Sequence, residues 1–138
     1  MIILDTNVVS EMMKPNPNAA VHDWLNEQMA KTLYLSCLTL AELLFGIEAL
    51  PAGKRKNALA KMVEDLIELF KNRILPFDVS SAHCYAKLAS VAQKNGRGFP
   101  VPDAYIAAIA ASHNYAVASR DIAAFEAAGI LVINPWEV

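Results

Sequence analysis

Five short apolar runs, each followed closely by a helical pattern, constrain this chain more than any other feature. They are Ile2, Ile3 and Leu4 at the start, "LYLS" at 33–36, "ILPF" at 74–77, "YAVAS" at 115–119 and "ILVI" at 130–133. Continuous apolar runs of this length read as strands buried on both faces. Pro76 places the third of them at an edge or an end of its sheet, because proline cannot donate to a ladder. Between the runs the apolar residues recur at helical spacing. In "NAAVHDWLNEQM", Val21, Trp24, Leu25 and Met29 share one face, and Leu59, Met62, Val63, Leu66, Ile67 and Phe70 repeat through "KRKNALAKMVEDLIELFKN". "LTLAELLFGIEAL" is apolar nearly all round, which predicts a buried helix. "SSAHCYAKLASVAQKNG" opens on serines suited to capping, and "PDAYIAAIAA" and "IAAFEAAG" complete the helical set. Strands alternating with helices predict a three-layer α/β/α sandwich around a mainly parallel sheet of about five strands.

The breaks at 15–17, 51–53 and 96–102 have the composition of loops, so residues 1–138 form a single domain. A formal net charge of −2 excludes a general basic coat as the means of holding nucleic acid. Cys37 and Cys84 stand far apart in apolar segments, with no metal-ligand spacing, and read as reduced core thiols of a cytoplasmic protein. The apolar start meets Asp5 too early for a secretory signal. The long apolar stretch from Val101 is broken by Asp103, Ser112, His113 and Asn114, which excludes a membrane span.

Four carboxylates occupy unusual places in this pattern. Asp5 follows the first strand directly, with Thr6 and Asn7 beside it. Asp121 follows the fourth, after Ser119 and Arg120. Glu42 lies within the apolar helix 38–50, and Asp103 opens a helix with no other charge in its next eight residues. Asp5, Asp103 and Asp121 stand where helix caps and first-turn acids stand, and Glu42 could lie on a helix edge, so capping and a shared site are both open here. In an open parallel sheet, however, ligands bind outside the carboxyl ends of the strands. Like charges ~5 Å apart at an effective dielectric near 20 repel by about 3 kcal/mol per pair. A hard divalent cation with oxygen ligands removes that cost. His22, His83 and His113 share no zinc-like spacing.

The segments "LDTNVVSEM", "TLAELLFG", "PDAYIAAIAASHN" and "ASRDIAAFEAAGILVINPW" resemble the PIN-domain ribonucleases from Met1 to Trp136, and in particular the toxins of VapBC-type toxin–antitoxin pairs of the FitB-like kind. The resemblance implies a PIN fold with an acidic pocket at the strand ends and endonucleolytic cleavage of RNA by a metal-activated water. The products would be a 5′-phosphate and a 3′-hydroxyl, and the ion Mg²⁺ or Mn²⁺. The family's acidic quartet falls on Asp5, Glu42, Asp103 and Asp121 as catalytic and metal-holding residues, with Thr6, Asn7 and Ser119 in support. The family commonly has Thr at the position of Ser119, and many members have Asn at that of Asp121. The resemblance also implies a homodimer that joins a small DNA-binding antitoxin in a higher complex, with no membrane partner. Arg97, in "KNGRG", and Arg120 are the candidates for contact with RNA. An aspartyl-phosphate enzyme would want a second Asp two residues after Asp5, where this chain has Asn7. A catalytically silent PIN-like binding module is the other alternative.

Overall fold

The computed structural model describes residues 1–138. Its strands are β1 (Ile2–Leu4), β2 (Leu33–Ser36), β3 (Ile74–Leu75), β4 (Ala116–Ala118) and β5 (Val132–Ile133), and its α-helices are α1 (Thr6–Met12), α2 (Ala19–Glu27), α3 (Cys37–Glu48), α4 (Lys54–Leu69), α5 (Val79–Lys94), α6 (Val101–His113) and α7 (Ile122–Ala127). All five strands run parallel in the order β3-β2-β1-β4-β5. The strand cut short at Pro76 is an edge, as its proline requires.

Because side chains alternate across a strand, each strand feeds two cores. Leu4, Leu33, Leu35 and Ala118 join Val8 and Val9 of α1, Val21 and Trp24 of α2, Leu43 and Ile47 of α3, and Val63 of α4 on one face. Ile3 and Val117 face the other way, onto Ile106, Ala107, Ile109 and Ala110 of α6 and Phe125 of α7. The small residues of α6 let it lie flat on the sheet, with Ile106 to Ala110 fully buried. The chain winds outward from β1 to β3 with helices on the first face. It then crosses by α5 and α6 to β4 and winds the other way on the second. The winding therefore reverses between β1 and β4, the kind of crevice where doubly wound sheets bind ligands.

Three local expectations need correction. Helix α3 is not buried all round: Leu43 and Ile47 face the core, while Leu44 and Phe45 are exposed, Phe45 by 76%. The edge of α3 that carries Glu42, Leu43, Gly46 and Ile47 joins α1 and α4 in lining a groove of about 660 Å³. Helix α5 is capped by Asp78, which accepts from Ser81 N at 2.9 Å, so the serines lie inside the helix. Cys37 is an exposed residue at the start of α3 and Cys84 is half-buried, so neither is a core thiol.

Candidate active site

The carboxyl ends of β1 and β4 lie side by side, with Leu4 in register with Ala118, and the Asp5 amide extends the ladder by donating to Ala118 O at 2.9 Å. Asp5 and Ser119 are therefore neighbours because two buried strands end together. Both are buried. The Ser119 hydroxyl is fully committed. It accepts from the Asp121 amide at 2.9 Å and from Asn7 Nδ2 at 3.3 Å, which fills its two lone pairs. Its one proton then goes to Asp5 Oδ2 at 2.7 Å. The other oxygen, Oδ1, accepts from Thr6 N at 2.8 Å. Asn7 is itself oriented, since its Oδ1 takes the Arg120 amide at 3.3 Å, and its Nδ2 also reaches Asp121 Oδ2 at 3.3 Å. Asp5 Oδ1 thus holds one hydrogen bond and Oδ2 a short one from Ser119 and a long one, 3.5 Å, from Asn7 Nδ2, and Oδ1 keeps acceptor capacity for a cation.

Asp103 enters from the first turn of α6, the helix that α5 and a short loop bring back over the sheet. Its carboxylate takes no hydrogen bond from the protein. Carboxylate oxygens of Asp5, Asp103 and Asp121 lie within 4.8 Å of one another. Burial, followed by the charges of Asp5, Asp121 and Glu42, raises the pKa of Asp103 to about 6. Burial also raises that of Asp5, against the Ser119 and Thr6 hydrogen bonds that lower it. The capping reading fails for Asp121, which stands at the head of α7 without a side-chain cap. Asp5 accepts only the first amide of α1.

Glu42 is exposed on α3 and stands outside the close trio, although it lines the same pocket. Thr6 Oγ1 donates to Glu42 Oε1 at 2.9 Å and lies 3.1 Å from the buried Thr39 hydroxyl, whose amide in turn is held by Ser36 at 3.1 Å. Thr39 and Glu42 thereby tie α3 to α1, and Ser36 at the end of β2 caps α3.

The pocket has a volume of about 380 Å³ and contains all four predicted acids, with Thr6, Asn7 and Arg120 also in its wall. Arg97 is not in it; it faces a separate hollow with Phe99, Leu88 and α7. Four further pocket residues escaped the sequence reading: Ser10, Glu11, Lys14 and Trp136. The first three have a signal, because positions 7, 10, 11 and 14 share one face of a helix, opposite Val8, Val9 and Met12. Trp136 has none.

The model of the PIN domain family matches residues 2–130. The chain belongs to the PIN-domain family. This PIN domain is 47% identical over 138 residues to the VapC ribonuclease Y4jK of Sinorhizobium fredii, covering 99% of each chain. It is 45% identical over 137 residues to the toxin FitB of Neisseria gonorrhoeae, again covering 99% of each. The solved structure of FitAB bound to the IR36 DNA fragment superposes with a TM-score of 0.95 at 44% identity, covering 100% of this PIN domain and 97% of that chain. The three-layer fold and parallel five-stranded sheet expected of a PIN domain are the ones found.

The donor set of the pocket fits a hard divalent cation. Every close acid is a carboxylate, no histidine or cysteine lines the wall, and Asp103 has oxygens that no protein donor uses.

Proposed function

We propose that this PIN domain is the endoribonuclease toxin of a VapBC-type pair and that it hydrolyses RNA phosphodiester bonds with a divalent ion, Mg²⁺ or Mn²⁺, held by Asp5, Asp103 and Asp121. The observation that carries the reading is the convergence of three carboxylates at the β1/β4 crevice, two of them with raised pKa values and none with a cationic partner. A bound ion of this kind supplies an acidified water and neutralises charge on phosphoryl oxygens. The chain's own residues set the conditions for that chemistry. Ser119 and Thr6 aim the two oxygens of Asp5 into the pocket, and Asn7 holds Asp121 beside them. Glu42, steadied by Thr6, is placed to take a proton or to hold a second ion. Names given to the relatives agree, since one is a VapC ribonuclease and another a toxin.

The same reading supplies partners. FitAB is solved on a DNA fragment, and we infer that this chain likewise joins a small DNA-binding antitoxin as a homodimer in a larger complex. The apolar groove between α1, α3 and α4 runs into the acidic pocket, with Thr6, Ser10, Lys14 and Glu42 common to both. An antitoxin segment lying there would reach the acids with a basic side chain. No helix is long and apolar enough to cross a membrane.

The test is cleavage of single-stranded RNA by the chain freed of any partner, followed by mapping of new 5′ ends. Cleavage should stop with EDTA and return with Mg²⁺ or Mn²⁺. Activity that survives chelation, or that only zinc restores, would overturn the proposal.

A further inference from the structure

Two cations line the pocket without pairing with its four quartet acids. Lys14 Nζ is bound to Glu11 Oε1 at 3.0 Å, and the other oxygen of Glu11 accepts the Asn18 amide at 3.0 Å. Glu11 is buried at the pocket wall, and its pKa is lowered by Lys14 first, then by the Asn18 amide, with a contribution from the charge of Arg120. The Arg120 guanidinium lies 4.4 Å from the centroid of the Trp136 ring. Neither cation makes a salt bridge to Asp5, Glu42, Asp103 or Asp121. No protein acceptor takes a guanidinium N–H of Arg120. Arg73 is the contrast, since it donates to the Ala30, Leu33 and Leu69 carbonyls and is a structural strut.

The position of Trp136 follows from the chain. The Ser119 amide donates to Ile133 O at 2.9 Å, which sets the ends of β4 and β5 together. Asn134 then turns the backbone by accepting the Trp136 amide at 3.0 Å, and buried Pro135 anchors the turn. The indole is thereby brought beside Arg120. A planar guanidinium against an aromatic ring keeps its edge donors free for two oxygens of a phosphate.

We propose that Lys14 and Arg120 form a phosphate clamp that grips the RNA backbone next to the scissile bond, with Trp136 and Glu11 as the residues that position them. The clamp rests on the ribonuclease reading above. It explains why two basic side chains share a wall with unpaired acids and yet are held away from them. It also gives a chain without a basic coat a local means of drawing in a polyanion.

The experiment measures cleavage kinetics over a salt series, and separately the anisotropy of a short fluorescein-labelled single-stranded oligoribonucleotide in Ca²⁺. Arg120→Ala and Lys14→Ala should each raise KM and Kd by about 10-fold with kcat retained. Each should also flatten the dependence of log affinity on log salt by about 0.7, one single-strand phosphate contact. Trp136→Leu should behave as Arg120→Ala, and Trp136→Phe, which keeps an aromatic face, should restore most of the loss. Glu11→Gln should shift KM and leave kcat. The clamp is overturned if kcat falls at unchanged KM and salt slope, or if Trp136→Phe fails as badly as Trp136→Leu while Arg120→Ala binds normally. It is equally overturned if these variants weaken only an antitoxin complex, or if the wild type binds no oligoribonucleotide. A wild type that binds the probe through these residues, yet cleaves nothing with Mg²⁺ or Mn²⁺, would sink the ribonuclease reading and with it the clamp's place beside a scissile bond, leaving only a phosphate-binding wall.

Discussion

Asp5 and Asp103 share one pocket and one direction of pKa shift, but they are held in opposite ways. Asp5 is 3% exposed, at the end of a central strand, with each oxygen hydrogen-bonded and a serine hydroxyl that has no other acceptor. Asp103 is half-buried on the first turn of a helix, and nothing in the protein bonds its carboxylate. One carboxylate is fixed by the fold; the other is left for whatever enters. Hydrogen bonds to the charged form oppose what burial does to Asp5, whereas burial and like charge act on Asp103 unopposed. Position in a fold thus separates a preset carboxylate from a responsive one, even though both are aspartates.

The sharpest way to break this contrast is to remove the preset member. Asp5→Asn should lower cleavage by more than about 100-fold, the upper range for losing only a supporting bond at a metal site. Its measure is single-turnover cleavage at saturating Mn²⁺. A residual rate within a few-fold of wild type would mean that Asp5 is only the head of α1. Ser119→Ala should cost about 10–100-fold, because it removes the short bond to Asp5 Oδ2 and strips the Asp121 amide of its acceptor. It should also raise the pKa of Asp5 further, since the Ser119 bond lowers it, and so move the acid limb of the rate profile to higher pH. Ser119→Thr keeps the hydroxyl and should retain activity. If Ala and Thr behave alike, the hydroxyl does not orient Asp5.

The same contrast marks how far the sequence could be read. The fold was legible because apolar runs of three to five residues between helical patterns have few other solutions, and β1 to β5 lie where those runs lie. Asp5 and Ser119 were legible for the same reason, as residues at the tips of strands. The surroundings of Glu42 were not. An apolar helix reads as buried, but whether a neighbour covers each face depends on tertiary placement, and α3 leaves Phe45 to solvent. Trp136 had no local signal, because it comes beside Arg120 only through the turn that follows β5. The loop of Arg97 leads along the chain to Asp103, yet folds Arg97 toward α7 and away from the acids.

The smallest expected effect concerns Asp103 in the metal-free protein and is decided by its dependence on pH. The Asp103 carboxyl ionises at about 6 in the folded chain, against an ordinary value of 3.8. Between those values the folded state holds the proton that the unfolded state has released. Stability from this group is therefore fully present below about 4, declines as pH rises to about 6, and stays lost above it. Asp103→Asn removes the ionisation and with it that decline. Screening at a half-exposed site limits the gain to about 1 kcal/mol or less at neutral pH. An acid in the first turn of a helix contributes about 0.3–1 kcal/mol of its own, which the variant loses, so the absolute difference at one pH decides little. The difference between pH 4 and pH 7 does decide, because the helix contribution and the repulsion follow ionisation with opposite sign. Thermal melts in EDTA should show wild type losing ground to Asp103→Asn as pH rises through that window. At neutral pH, Mg²⁺ should then raise the melting temperature of the wild type more than that of the variant, since binding to the folded state alone adds stability. If the two proteins keep a constant separation across the window, and Mg²⁺ moves both equally, Asp103 does not share the charge of this pocket.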